Sequence, residues 1–249
     1  MDIYWSKKIL GVHDKNSETE LLSQKPEPLL SYFSKTLFPN NENYKRYMKC
    51  PSAQIELKNT YVVKADFDIE IFINTNEKIA NFHSNYDLGD DTKRIFTENN
   101  YINLSTDNSL FNILTHLYLF SEESIQVAQL PPYFHKNDYV TAQKDMYLLP
   151  GSFDISKWYR PFHASYLVEN TGHVKIKRGD PLYYIRFNTD QKINLIEYEL
   201  NDKLISYSQS CLNVKSYRPL QKFNFLYKIF TERNMNKKVL KEIIKCQTT

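Results

Sequence analysis

The sequence predicts a mainly β fold of the α+β class. The expected architecture is an antiparallel jelly-roll or barrel-like sandwich with an N-terminal helix and a C-terminal helical extension. Three observations carry this. From Tyr147 to Leu200, strand-like runs alternate with turn signals at the roughly 8–12-residue spacing of sandwiches and barrels. Glycine is rare, five in 249 residues, and three of them (Gly151, Gly172, Gly179) fall at corners of this stretch. Beyond Leu200 the pattern changes, and Lys215 to Lys245 has helical spacing.

Composition narrows the class further. A chain of 249 residues, 41% hydrophobic and 24% charged, is long enough for a sizeable core. The expected division is a β-rich domain over 1–200 and a basic helical extension over 201–249 packed on it. Phosphate-cradling loops need glycine so that backbone N–H groups can approach the ligand. Neither G-x-G-x-x-G nor G-x-x-x-x-G-K-[ST] occurs, which disfavours Rossmann and P-loop nucleotide folds. Cys50, Cys211 and Cys246 are odd in number, far apart and without a C-x-x-C, as expected of free thiols in a reducing compartment. Met1 to Leu10 lacks the apolar run of a signal peptide, and no stretch approaches the length of a membrane span. An AT-rich genome would produce the many Tyr and Phe through its codons, so their number alone implies no stacking surface.

Taken in order, Ile3-Tyr4-Trp5 reads as a short strand and Asp14 to Glu20 as a solvated loop. Pro26-Glu27-Pro28 opens a helix over Leu29 to Leu37, with Leu29, Leu30, Phe33 and Leu37 on one face. Phe38 to Asn41 stops it, and Tyr44 to Cys50 has no decisive pattern. Gln54 to Asn74 reads as a long β-hairpin. Phe67, Ile69, Ile71 and Ile73 share one face by the two-residue period, and Asp66, Asp68 and Glu70 share the other. That acidic row is either a solvated strand face or a set of oxygen ligands for a divalent cation. Asn74 to Asn108 is polar, with short strands near Ile79 to Phe82 and Tyr101 to Leu104 and a turn at Gly89-Asp90-Asp91. Phe111 to Gln129 reads as a second hairpin, whose first arm could also be helical, and Pro131-Pro132 ends it.

The central stretch then reads as an antiparallel meander. Its corners are Pro150-Gly151, Asn170-Thr171-Gly172, Arg178-Gly179-Asp180-Pro181 and Asn188-Thr189-Asp190. Its strands are Phe162 to Val168, His173 to Lys177, Leu182 to Phe187 and Ile193 to Leu200. In the tail, Leu220, Phe223, Leu226, Tyr227 and Phe230 mark one helix, and Val239, Leu240, Ile243 and Ile244 a second, capped at Asn234-Met235-Asn236. Residues 215–249 hold nine Lys/Arg against two Glu, a net +7 in a chain of net +3, which leaves −4 for residues 1–214. Such a tail can touch nucleic-acid phosphates weakly through the Lys/Arg of 215–245, or dock on an acidic partner, or simply solvate an outer helix face.

Two resemblances emerge from these residues. Gly151, Asp154, Tyr159, Arg160, then Ile176, Lys177, Gly179, Asp180 and the strand Leu182 to Phe187 resemble the closing part of a dUTP pyrophosphatase or dCTP deaminase-type jelly roll. Ala65 to Ile69 echoes that family's A-G-Y-D-L without its glycine. The resemblance covers about forty residues and implies Asp154 as a water-activating base. The family's Arg-Ser-Gly phosphate motif and glycine-rich C-terminal arm are missing, and the spacing from Asp154 to Tyr159-Arg160 is a little long. More broadly, Cys50-Pro51, Lys58 to Lys64, Gly151 to Pro161 and Arg178 to Tyr184 resemble an uncharacterised protein family of tailed, marine-type bacteriophages, over most of the first 200 residues. This implies a viral origin, and with it the host cytoplasm of an infected cell or the virion, but no activity.

Asp154, Trp158, Tyr159, Arg160 and Arg186 form the candidate ligand site. Aromatic rings offer flat surfaces, and arginines clamp phosphate or carboxylate. The same residues also suit an Asp–Arg pair holding a turn over a buried Trp. His163 and His173 flank one expected hairpin and, with Asp154, could form a metal or acid/base site or be solvated strand residues. Cys50, beside Pro51, reads as a buried or turn thiol with nothing nearby to lower its pKa. No usual metal spacing occurs among the histidines, and no cofactor is expected apart from Mg²⁺ if the chain is a hydrolase. The expected function is a non-catalytic binding or interaction protein for an unknown small molecule or protein partner, able to form homo-oligomers. The alternatives are a divergent nucleotide hydrolase of the dUTP pyrophosphatase type, with Asp154 as base and Arg160 on phosphate, and a minor virion protein.

Overall fold

A computed structural model describes residues 1–7, 24–37, 39, 42–74, 79–84, 101–103, 109–133, 146–168, 172–217 and 220–247. The expected loop at 14–20 and the turns at 89–91 and 170–171 lie outside them. In chain order the strands are β1 Asp2–Lys7, β2 Glu27–Pro28, β3 Thr60–Lys64, β4 Ile69–Asn74, β5 Ile79–Ser84, β6 Tyr101–Asn103, β7 Ser109–Phe120, β8 Gln126–Leu130, β9 Met146–Leu148, β10 Gly151–Asp154, β11 Pro161–Val168, β12 Gly172–Ile176, β13 Pro181–Phe187 and β14 Asn194–Glu197. The helices are α1 Leu29–Tyr32, which runs on as a wider π turn over Phe33–Leu37, then α2 Glu42–Met48, α3 Pro51–Leu57, α4 Asp202–Tyr217, α5 Phe223–Glu232 and α6 Met235–Lys245.

The fold is mainly β with helices, as the sequence predicts, and no described sheet closes into a barrel. The first sheet runs β14-β1-β7-β11-β9, with β6 also on β7; the second runs β10-β8-β13-β3-β2; the third runs β12-β4-β5. All pairings are antiparallel except β1 with β14. The first two sheets share one core: Ile3, Trp5, Leu117 and Leu119 meet Val63, Val127, Tyr183, Ile185 and Phe187, with Ile69, Ile71 and Ile176 of the third sheet joining them. Helices cover the outer faces. Leu29, Tyr32, Phe33 and Leu57 pack with Val62 and Tyr184 of the second sheet. Leu204, Cys211, Leu226, Phe230, Val239 and Ile243 pack with Tyr118, Phe120 and Tyr198 on the side of the first. The order of layers is therefore helix, sheet, sheet, helix.

Several expectations are corrected. Gln54 to Asn74 is not a hairpin: Gln54 lies in α3, and β3 and β4 pair in different sheets. Nor do β7 and β8 pair with each other. β7 is apolar on both faces, Leu117 and Leu119 on one and Tyr118 and Phe120 on the other. Such a strand must be central and covered twice, so its edges go to β1 and β11. The meander is likewise absent. Consecutive strands β9 to β14 go to the first, second, first, third, second and first sheets. Alternation assigns a residue to a face; it does not choose the partner strand.

The turn at Arg178-Gly179-Asp180 is as expected, and here glycine is required. Gly179 has φ +89°, and its N–H and the next carbonyl bond Ala65 on both sides (2.9 Å each), which docks this corner on the β3–β4 connection. In the tail, Asn234 precedes α6 in the left-handed region (φ 52°) but makes no side-chain cap bond. Leu220, expected on a buried face, is 96% exposed.

Candidate functional site

β10 ends at Asp154, and the chain turns sharply there. Asp154 Oδ1 accepts hydrogen bonds from the backbone N–H (3.0 Å) and hydroxyl (2.7 Å) of Ser156. Oδ2 accepts from the Ser124 hydroxyl at 2.6 Å and pairs with Lys157 Nζ at 2.8 Å. The Asp154 backbone N–H donates to the Tyr227 hydroxyl at 2.9 Å, tying the turn to α5. Burial alone would raise the pKa of this carboxyl, but the bonds from Lys157, Ser124 and Ser156 outweigh it and leave the pKa below its usual value. Both oxygens are thus occupied in holding a turn.

The next residues diverge. Trp158 is buried against Phe230 of α5, with ring centroids 6.2 Å apart. Tyr159 is fully buried, and its hydroxyl meets that of Tyr198 at 2.9 Å. Neither ring is open to a ligand as expected of a stacking platform, because the C-terminal helices cover them.

Arg160 is different. It is half-buried, lies over the Phe153 ring at 5.5 Å, and its Nε is buried without a hydrogen-bond partner. No carboxylate forms an ion pair with it among the described residues, and Asp154 pairs with Lys157 instead. Burial lowers its pKa; the Tyr227 hydroxyl and Cys211 thiol nearby oppose this. Burial also pushes the Cys211 thiol up to about 11, so it is neutral and supplies no counter-charge at neutral pH. The guanidinium is thus partly withdrawn from water, with one N–H buried and unpartnered, which disfavours the charge.

Arg186 is not part of this place. It lies on the outer face of the second sheet, where it pairs with Glu56 of α3, whereas the neighbouring β13 residues Ile185 and Phe187 point into the shared core. The structure therefore brings Asp154 and Arg160 near Tyr227 but leaves Arg186 on another face.

The acidic row also separates. Asp66 is buried on Lys7; Asp68 accepts the Arg178 backbone N–H at 2.7 Å; Glu70 pairs with His173 (2.6 Å) and Lys175 (2.7 Å) on the third sheet. Among the described residues no three His, Cys, Asp or Glu side chains converge as metal ligands. His163 and His173 do not face each other, because β11 and β12 pair in different sheets. Cys50 is exposed, not buried, at the amino end of α3, where the backbone N–H groups of Ala53 and Ser52 lower its pKa. No described helix is long and apolar enough to cross a membrane.

One polar cluster was not foreseen. Lys7, with a fully buried side chain, contacts Asp66 Oδ1 at 2.6 Å; the Lys7 charge helps lower the pKa of buried His116, and the Asp66 charge helps raise that of buried Tyr183. The Tyr183 hydroxyl shares a 2.7 Å bond with Thr115. The available signal was the two-residue period of β1, which puts Lys7 on the same face as Ile3 and Trp5.

Neither a scan against protein-family models nor a search of curated proteins finds a match to this chain.

Proposed function

We propose that the chain is a non-catalytic binding protein and that its ligand carries an anionic group, phosphate or carboxylate, which Arg160 holds. The observation that carries this reading is the half-buried guanidinium with no carboxylate partner among the described residues. A free-standing protein gains nothing by covering such a charge, and a binding protein gains a preformed, water-shielded contact. The engagement of Asp154 supports the non-catalytic part, since a water-activating base needs a free oxygen and an accessible pKa. Phage origin, action in the infected cytoplasm or in the virion, and descent from a jelly roll belong to the same proposal. The crossing of successive strands between two facing sheets supports the last of these.

The test is thermal stability of the purified chain against inorganic phosphate, small carboxylates and nucleoside mono-, di- and triphosphates, with and without Mg²⁺. A ligand at about 100 times its dissociation constant adds about 2.7 kcal/mol. Arg160→Met should melt a few degrees higher without ligand, a gain of about 1 kcal/mol, and should lose the ligand response. A panel without any response, or a response that Arg160→Met retains, overturns the reading. Asp154→Asn separates the hydrolase alternative. Here it should lose about 1–3 kcal/mol of stability and change no turnover, because there is none to lose. Co-purification with particles would favour the virion alternative.

A further inference from the structure

We infer that the outward face of α6, with the turn before it, is a docking surface for the phosphate backbone of double-stranded DNA. The surface is separate from Arg160 and independent of the reading above. Lys237, Lys238, Lys241 and Lys245 are exposed on α6, and Arg233 is exposed at the turn. The two carboxylates of this region are already taken. Glu232 pairs with Lys228 at 3.6 Å, and Glu242 with Lys203 (3.0 Å) and Lys245 (3.1 Å). Arg233, Lys237, Lys238 and Lys241 form no ion pair among the described residues, which leaves four uncompensated cations side by side.

Their placement works against the helix that bears them. Lys237 and Lys241 are four residues apart and Lys238 and Lys241 three, so like charges stack along one face. Lys237 and Lys238 also stand near the positive end of the helix dipole, where no acidic residue occupies the first turn and Asn234 supplies no side-chain cap. Folding would be better served by acids at these positions. A polyanion compensates all of these charges at once.

The surroundings favour duplex DNA among polyanions. Lys237 to Lys245 spans about 12 Å along the helix axis, over which a duplex presents about seven phosphate charges. The exposed positions of α6 hold no aromatic ring, so there is no stacking platform for a single strand. The apolar side of α6, Val239 and Ile243, is already buried in the core that holds Tyr198 and Leu204, and Ile244 is the one large apolar side chain of α6 left exposed, too little for a lipid interface.

The experiment is fluorescence anisotropy of a short labelled duplex of arbitrary sequence with the full chain, titrated at several salt concentrations. Four phosphate contacts predict a log–log salt slope near about −3.6, a loss on the order of 100-fold between about 50 and 200 mM salt. Lys237→Glu combined with Lys241→Glu should at least halve the slope without lowering the melting temperature, and Arg160→Met should leave binding unchanged. If the double reversal fails to fold, Lys237→Gln with Lys241→Gln serves the same purpose. No binding at about 50 mM salt, or a slope the variants do not alter, overturns the proposal. So does tighter binding to single-stranded DNA, to RNA or to anionic vesicles; the vesicles matter because Leu220 and Phe225 are exposed before and within α5.

Discussion

Replacing Lys7 with methionine is expected to cost about 3–5 kcal/mol of stability at neutral pH. Methionine fills the space of the lysine stem, so the loss comes from charge rather than packing. Lys7 Nζ lies 2.6 Å from Asp66 Oδ1 and 3.2 Å from the Lys64 carbonyl, with none of its side chain exposed. Burial pushes the lysine pKa down and the aspartate pKa up, and their mutual attraction opposes both shifts. Removing one partner leaves a buried carboxylate with only the Gln24 backbone N–H, at 3.2 Å, among its described hydrogen-bond donors. Adding Asp66→Asn to the Lys7→Met chain should therefore recover most of the loss. The deficit of the single variant should also shrink as pH falls toward about 4. In that window its Asp66 is protonated in the folded state before it is in the unfolded one. Urea unfolding of the parent, both single variants and the double variant measures this as a coupling energy. A single-variant loss within about 0.5 kcal/mol, the size of an ordinary surface change, would show that the pair carries no such weight.

This pair shows what the sequence could and could not disclose. Ile3, Trp5 and Lys7 obey one period, so the lysine's burial was legible in β1 alone. Its partner was not. The same rule puts Asp66 opposite the buried Phe67, Ile69 and Ile71, but Asp66 precedes β4 in an irregular connection where the period does not hold. The tail gives a similar contrast. Leu226, Phe230, Val239 and Ile243 are buried at the helical spacing the sequence displays. α4 escaped notice because its buried positions, Leu204, Ser208 and Cys211, form a narrow stripe that includes a serine and a thiol. Around the candidate site, Trp158 and Tyr159 looked available because what covers them, α4 to α6, lies more than forty residues further along the chain. The isolation of Arg160 was hidden for the converse reason. Asp154 is the evident partner in sequence, and it is taken by Lys157, Ser124 and Ser156.

Acidification from about pH 7 to about pH 4 is expected to remove up to about 3 kcal/mol of stability through His116. The side chain is 7% exposed in β7, at a bulge where Tyr118 pairs with Pro161 but Leu114 pairs with His163. Its φ of 49° is the left-handed conformation that the bulge imposes. Burial, and then the nearby Lys7 charge, lower its pKa from 6.5 to about 4. The unfolded chain therefore binds a proton below about 6.5 that the folded chain refuses until about 4, and stability falls with pH across that window. Asp66 acts with the opposite sign, because its raised pKa favours the folded state as acid is added. The parent's own pH curve is consequently a mixture, and the difference between two chains is what isolates the histidine. Asparagine tolerates the left-handed region and does not titrate, so His116→Asn keeps the bulge and removes the proton. Urea unfolding of both chains at several pH values should show the variant gaining on the parent by about 3 kcal/mol between pH 7 and pH 4. Parallel curves would mean that His116 takes up its proton in the folded state as easily as in the unfolded one.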